Sequence, residues 1–289
     1  MTMTGLEAKT RIEENDLVEL RKLAEACDQA DGIAVKLNWS MIAERDGGRI
    51  NDFCYYEGGE LVGFMPMDDF GGKYEITAVV APGYRRRGIF RAMYEAALRE
   101  IRSRGASELL LVNYRASEAG CAAVKRLSLP YASSEYCMEA LAAEMPRLPP
   151  AVLQLERVTA TNVSELSRML RQSFDNERWS AVESLLRELD NADKRYYVAR
   201  LEGEAIGQIG IIMATDRVYI RAVGIVPQWR RKGYGRQLLA ATLQKLLNEG
   251  RDTFELDVAT DNDQALSLYT SCGFRQTNVY DYYAVPLQA

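Results

Sequence analysis

Residues 226–235 read VPQWRRKGYG, and residues 81–90 read APGYRRRGIF. The first stretch follows an apolar run, RVYIRAVGIV at 217–226, with the composition of a strand. It precedes Leu238, Leu239, Thr242, Leu243, Leu246 and Leu247, which repeat at i, i+4 and predict a helix ending near Gly250. A strand that delivers a basic, glycine-bearing turn to a helix start suits an anion. The first helical turn has amides without intrahelical acceptors, and the helix dipole favours negative charge there. Gly233 and Gly235 let the backbone curve and approach closely. Arg230, Arg231 and Lys232 supply charge at the rim. On local grounds a solvated basic turn explains the decapeptide equally well. The stretch matches neither GxxxxGK[ST] nor GxGxxG.

The second copy of the turn extends well beyond ten residues. At a displacement of 145 (227 minus 82), Pro82, Arg85, Arg86, Gly88, Arg91, Gly105 and Leu111 meet Pro227, Arg230, Arg231, Gly233, Arg236, Gly250 and Leu256 without a gap. A repeat at half the chain length indicates two copies of one domain. The expected division is 1–146 and 151–289, with EMPRLPPAV (144–152) as the linker because its prolines break regular structure. Each half reads alike: a helix (17–27, 163–174), a hairpin (51–67, 195–213), then a third strand (74–80, 217–226) running into the basic turn. The second half continues with its helix, a strand at 253–259, a helix at 262–272 and terminal strand material at 274–287. The fold class is therefore α/β, with a mixed sheet in each of two tandem domains.

Whole-chain composition restricts the chemistry. The net charge is −5, so no global feature points to nucleic acid or to an anionic membrane. Five cysteines without a CxxC pair argue against a disulfide framework and a zinc knuckle. No window approaches a membrane span, and a cytoplasmic protein is expected. The chain contains 0 histidines, which excludes Ser-His-Asp, Cys-His and HExxH systems within it. Proton transfer then falls to carboxylates, tyrosine, lysine or water. No metal is expected.

The turn, read with DNDQALSLYTSCGF at 261–274, carries a resemblance. It resembles the R/Q-x-x-G-x-G/A acyl-CoA pyrophosphate loop of the GNAT superfamily of acetyl-CoA-dependent N-acetyltransferases. The downstream stretch is similar to that family's Asn…Ala…Tyr-x-x-x-Gly-Phe signature. The two motifs occur in the family's order, and the doubled arrangement resembles its tandem members. The resemblance implies acetyl-CoA as cosubstrate. Arg230, Arg231, Lys232, Gly233, Tyr234, Gly235 and Arg236 would hold the pyrophosphate. Val223 and Ile225 would pair with pantetheine, and the amide near Ile225 would face the thioester oxygen. Asn262 would reach pantetheine, although a helix cap is an equally natural role for it. Tyr269 would protonate the departing thiolate. Gly224 marks a bulge, a close approach, or plain packing.

The general base stays open among Glu255, Asp257, Tyr219 and a water chain. The first half is a weakened copy: Phe90 replaces Gly235, Ser117 replaces Asn262, Val124 replaces Tyr269, and Ser128-Leu129 replaces Gly273-Phe274. Arg85, Arg86, Arg87 and Gly88 keep CoA binding open there. The expectation is an N-acetyltransferase working in its second half on a small-molecule amine or a peptide, with 17–50 and 161–195 shaping the acceptor site. The alternative is a non-catalytic acyl-CoA-binding module. The sequence leaves the oligomeric state open.

Overall fold

The computed structural model describes residues 3–150, 152–174 and 181–287. The first half runs β1 (Gly5–Lys9), α1 (Glu14–Asp31), α2 (Trp39–Ala43), β2 (Asp52–Glu57), β3 (Glu60–Asp69), β4 (Lys73–Ile76), β5 (Val79–Val80), α3 (Ile89–Ser103), β6 (Glu108–Tyr114), α4 (Glu118–Leu127) and β7 (Tyr131–Leu141). The second half runs β8 (Gln154–Arg157), α5 (Val163–Ser173), α6 (Val182–Leu189), β9 (Lys194–Leu201), β10 (Glu204–Met213), β11 (Val218–Ile225), α7 (Tyr234–Asn248), β12 (Thr253–Ala259), α8 (Asp263–Ser271) and β13 (Arg275–Ala284). Both expected hairpins form. Their turns use consecutive left-handed residues, Gly58 and Gly59 in one and Glu202 and Gly203 in the other, which matches the twist of the paired strands.

The compact units do not coincide with the halves of the sequence. Unit 1 comprises residues up to Ser134 together with those from Val279 onward, and unit 2 comprises Glu135–Asn278. The cause is a reciprocal exchange of strands. In unit 2, β12 pairs antiparallel with β7, from Thr253↔Leu141 to Ala259↔Glu135. In unit 1, β6 pairs antiparallel with β13, from Tyr114↔Tyr280 to Leu110↔Ala284. The strand at 274–287, expected to finish the second half, thus largely finishes the first unit's sheet. The segment 144–150, expected as part of an interdomain linker, lies within unit 2.

Strand order in unit 1 is β1-β2-β3-β4-β6-β13, and in unit 2 it is β8-β9-β10-β11-β12-β7. Among the pairs within each unit's described residues, β4–β6 and β11–β12 are parallel. Each sheet is covered on two faces. In unit 1, α3 packs on Phe53, Met65, Met67, Ile76 and Leu111 through Met93 and Ile101, while α1 covers Phe64 and Val79 through Leu20, Leu23 and Cys27. In unit 2, α7 packs on Ile209, Ile211, Val218, Ile220 and Phe254, while α5 and α6 cover Tyr196, Val198 and Ala222.

The exchange makes a direct prediction. A chain ending at Asn278 loses the buried Tyr280, Tyr282 and Val285, which are 8%, 4% and 5% exposed. At about 1.5–3 kcal/mol for each buried large side chain, unit 1 should lose at least about 4 kcal/mol of stability. Thermal unfolding and limited proteolysis should show damage in residues before 134, far from the cut in sequence.

Candidate active site

In unit 2 the site is built around the point where β11 and β12 part. They pair only at Val218↔Phe254 and Tyr219↔Glu255, so beyond Tyr219 the edge of β11 that faces β12 has no ladder partner. A β-bulge follows. The β10–β11 register passes from Gly210↔Arg221 to Gln208↔Gly224, setting both Ala222 and Val223 opposite Ile209. Ala222 has φ of +54°, a strained conformation for a residue with a Cβ. The extra residue reverses the alternation: Val218 and Ile220 face α7, and beyond the bulge Val223 and Ile225 do so. An unpaired strand edge of this kind accepts an extended amide chain as an added strand.

The bulge lies just before Gly224, and Gly224 is there for a different reason. A Cβ on it would stand 2.2 Å from Gln208 Nε2 and 2.9 Å from Ser173 Oγ. Packing on the α5 face forbids a side chain.

Downstream, Pro227–Trp229 makes a 3₁₀ turn, Arg231 takes φ of +60°, and Gly233 caps α7 with φ of +82° and no side-chain hydrogen bond. The amides of Tyr234, Gly235 and Arg236 therefore open the helix without intrahelical acceptors. The four cations differ in their commitments. Arg230 donates from Nε to the Ile225 carbonyl at 2.8 Å and from Nη2 to the Gln172 carbonyl at 3.4 Å. Lys232 lies 4.6 Å above the Trp229 ring, and Arg236 donates to the Ser271 carbonyl at 3.3 Å. Arg231 is exposed. A Cβ on Gly235 would meet nothing closer than Leu268 at 3.4 Å. The protein's own packing therefore does not require a glycine there.

Leu268 and Ser271 belong to α8, so the helix with the second motif packs against the start of α7. Asn262 caps α8, its Oδ1 accepting from the Ala265 amide at 3.1 Å. Tyr269 is 8% exposed, and its ring meets Phe274 edge-on at 6.0 Å. Burial alone pushes its hydroxyl up to about 12, which keeps the phenol protonated at neutral pH. Gly273, at φ of +98°, has no room for a Cβ because Pro146 Cδ would lie at 2.8 Å.

The carboxylates left open as bases lie on one face, with different partners. Arg217 holds Glu255, whose burial still raises its pKa. Tyr219 donates to Asp257 at 2.9 Å.

Unit 1 preserves much of the backbone and differs in the side chains. Arg86 and Gly88 repeat the left-handed pair at φ of 65° and 85°, and Ser128 keeps the turn of Gly273 at φ of 53°. Ser117 caps α4 as Asn262 caps α8. Its strand shows no bulge, because Met67↔Ile76 and Phe64↔Val79 lie in one unshifted register. Phe90 stacks on Tyr94 at 5.8 Å, and Val124 is buried in the place of Tyr269. Arg85 is held by both oxygens of Asp31, at 2.7 and 2.9 Å.

Sequence reasoning missed Gln208, Ser173, Ala222 and Arg221. Only Gln208 carried a signal, as a single amide inside the apolar run AIGQIGIIM.

Comparison with known proteins agrees with this architecture. The Acetyltransferase (GNAT) family profile matches residues 16–124 and again 161–274. The chain belongs to this family of acyltransferases, in its tandem two-domain form. A mycothiol acetyltransferase of Catenulispora acidiphila is 25% identical over 316 aligned positions, covering 95% of this chain and 96% of that one. Another of that name, from Clavibacter sepedonicus, is 30% identical over 229 positions, covering 71% and 70%. The GCN5-related N-acetyltransferase from Sphaerobacter thermophilus shares the fold, with a TM-score of 0.79 at 16% identity over 100% of this chain and 98% of its own.

If Gly235 is small for a ligand's sake, G235F should leave the melting temperature within a few degrees and weaken acetyl-CoA binding at least about tenfold. Calorimetry checks this, and equal affinity would assign the glycine to folding.

Proposed function

We propose that unit 2 transfers an acetyl group from acetyl-CoA to a primary amine by direct attack of the nitrogen. The observation that carries this reading is the position of Tyr269. A buried, protonated phenol sits on the helix packed against the glycine-capped start of α7, in the unit whose strands part. When bound, acetyl-CoA supplies an activated thioester. The amides at 233–236 with Arg231 would bind its pyrophosphate, and the open edge of β11 would take pantetheine. The amides beyond the bulge would donate to the thioester oxygen as charge develops there.

Tyr269 would hold its proton toward the departing sulfur. An ordinary thiol titrates near 8.5, so full release from a phenol at about 12 is uphill by about 5 kcal/mol. Tyr269 would therefore act chiefly as a hydrogen-bond donor. Asp257, to which Tyr219 donates, and Glu255, held by Arg217, are the candidates for taking the amine's proton.

Unit 1 would serve as scaffold: Val124 has no proton to donate, and the strand has no bulge. The mycothiol acetyltransferases that align along nearly all of this chain favour a small-molecule acceptor over a peptide.

Y269F should lower kcat about a hundredfold and leave the Kd for acetyl-CoA unchanged. The wild-type kcat should show no alkaline limb from Tyr269 between pH 8 and about 10, since the phenol ionises only near 12. Undiminished turnover in Y269F would remove Tyr269 from the mechanism. Acetyl-CoA binding without turnover on a broad amine panel is the result that a non-catalytic module requires.

A further inference from the structure

Among the described residues, four buried polar atoms without a hydrogen-bond partner lie in unit 2: Oε1 and Nε2 of Gln208, Oγ of Ser173 and Nε of Arg221. Gln208 is 0% exposed. Its amide and the Ser173 hydroxyl lie against Gly224, just past the bulge, because a Cβ there would be 2.2 and 2.9 Å from them. Arg221 lies on the same face, over Gly210. Its Nη2 holds Glu188 and the Tyr196 hydroxyl, and its Nε is left over.

Unit 1 supplies the control. Displaced by 145 residues (224 minus 79), Gly224 becomes Val79, which pairs with Phe64. Both are apolar, at 3% and 0% exposure, and they pack under α1 with Leu20, Leu23 and Cys27. One place in one fold is filled with hydrocarbon in one copy and with an unpartnered amide in the other. A buried polar group without a partner costs about 1–3 kcal/mol. Stability alone favours the Phe64 and Val79 solution. The costlier arrangement stands in the copy that carries Tyr269.

The cluster also has a way to open. Ser173 ends α5, and the neighbouring Gln172 carbonyl is held by Arg230 through a single 3.4 Å bond. In unit 1 the matching arginine grips a carboxylate at the end of α1 by two short bonds. A diphosphate at the loop competes for Arg230 with charge-assisted bonds, which a neutral carbonyl at 3.4 Å cannot match.

We propose that Gln208, Ser173 and the Arg221 Nε–H are the acceptor-recognition groups of unit 2. They are uncovered when the donor occupies the loop, and they read a neutral hydroxyl or carboxamide carried by the amine acceptor. The amide and the hydroxyl each offer a donor and an acceptor, and the guanidinium offers a donor. A hydrocarbon substituent would leave all four atoms unpaired. A second ammonium would meet no carboxylate among these groups, because Glu188 is taken by Arg221 and Tyr196.

The proposal rests on the reading of unit 2 as an amine acetyltransferase, and the experiment separates the two. Full-length protein with acetyl-CoA is assayed on matched amines: ethanolamine against propylamine, and trans-2-aminocyclohexanol against cyclohexylamine. The wild type should favour the hydroxyl-bearing member of each pair by at least about tenfold in kcat/KM. Q208M should bring the two within about twofold and should not lower the melting temperature, because it removes an unpaired buried amide. A preference that survives Q208M, or no preference in the wild type, overturns the proposal. So does a melting temperature that falls in Q208M with the preference intact, which marks Gln208 as structural. Calorimetry of the same amines with unacetylated CoA present gives a second readout. Preferential binding without acetyl transfer would reject the transferase reading and keep this one. Equal amine affinity with and without CoA would overturn the uncovering step.

Discussion

An unpaired strand edge inside a sheet is an unstable thing to keep, and the site in unit 2 depends on one. Parallel strands that stop pairing after Tyr219 and Glu255 leave the backbone donors and acceptors of β11 directed at a gap. In an ordinary sheet such groups are covered by a neighbour, and left open they invite pairing with another chain. The bulge at Ala222 and Val223 fixes the parting in place, since it turns the strand and holds a residue at a positive φ that alanine does not favour. The strand then runs through Ile225 into the loop, and the Arg230 guanidinium closes back on the Ile225 carbonyl. Gap, bulge and glycine-capped helix start are therefore one continuous stretch of backbone. Disturbing any of them moves the others.

The exchanged strands explain how such an opening is tolerated. On its other edge β12 is fully paired, along all seven residues, by a strand from the first half of the chain. That support anchors one wall of the gap while the other wall carries the bulge. Met138 and Ala140 of β7 are buried in the same core as Tyr269 and Phe274. The helix bearing the candidate acid thus rests partly on residues contributed by the other half of the sequence.

Much of this was legible in the residues, wherever a local backbone requirement leaves a local trace. The left-handed residue at 233, the helix after it, the cap at Asn262 and the turn at Gly273 all follow from side chains that answer for their own conformation. Strand partners are another matter. The alternation of β13 suits any half-buried strand, and nothing in it states whether β12 or β6 lies alongside. The bulge is silent because alanine has no signature at a positive φ. The short edge strands β1 and β8 carry little pattern, and Arg230 reads as a free cation until its hydrogen bonds are seen. Gln208 stands out in an apolar run, yet only the burial of its amide beside Gly224 shows that the residue lacks a partner.

The first unit is best understood by what fills the places that unit 2 leaves empty or polar. Phe90 stacks on Tyr94 where Gly235 leaves room, Val124 is buried where Tyr269 presents a hydroxyl, and Phe64 with Val79 occupies the position of Gln208 and Gly224. Asp31 locks the arginine whose counterpart, among the described residues, holds the Ile225 and Gln172 carbonyls. Each exchange puts packing or an ion pair where unit 2 has a small or polar group, and so favours the stability of the first unit. Losing the first half of the sequence would take away β7, the strand that pairs β12 along its length within unit 2. Unit 2 can therefore hold strained and unpaired groups at its candidate site while β7, contributed by the first half of the sequence, completes its sheet.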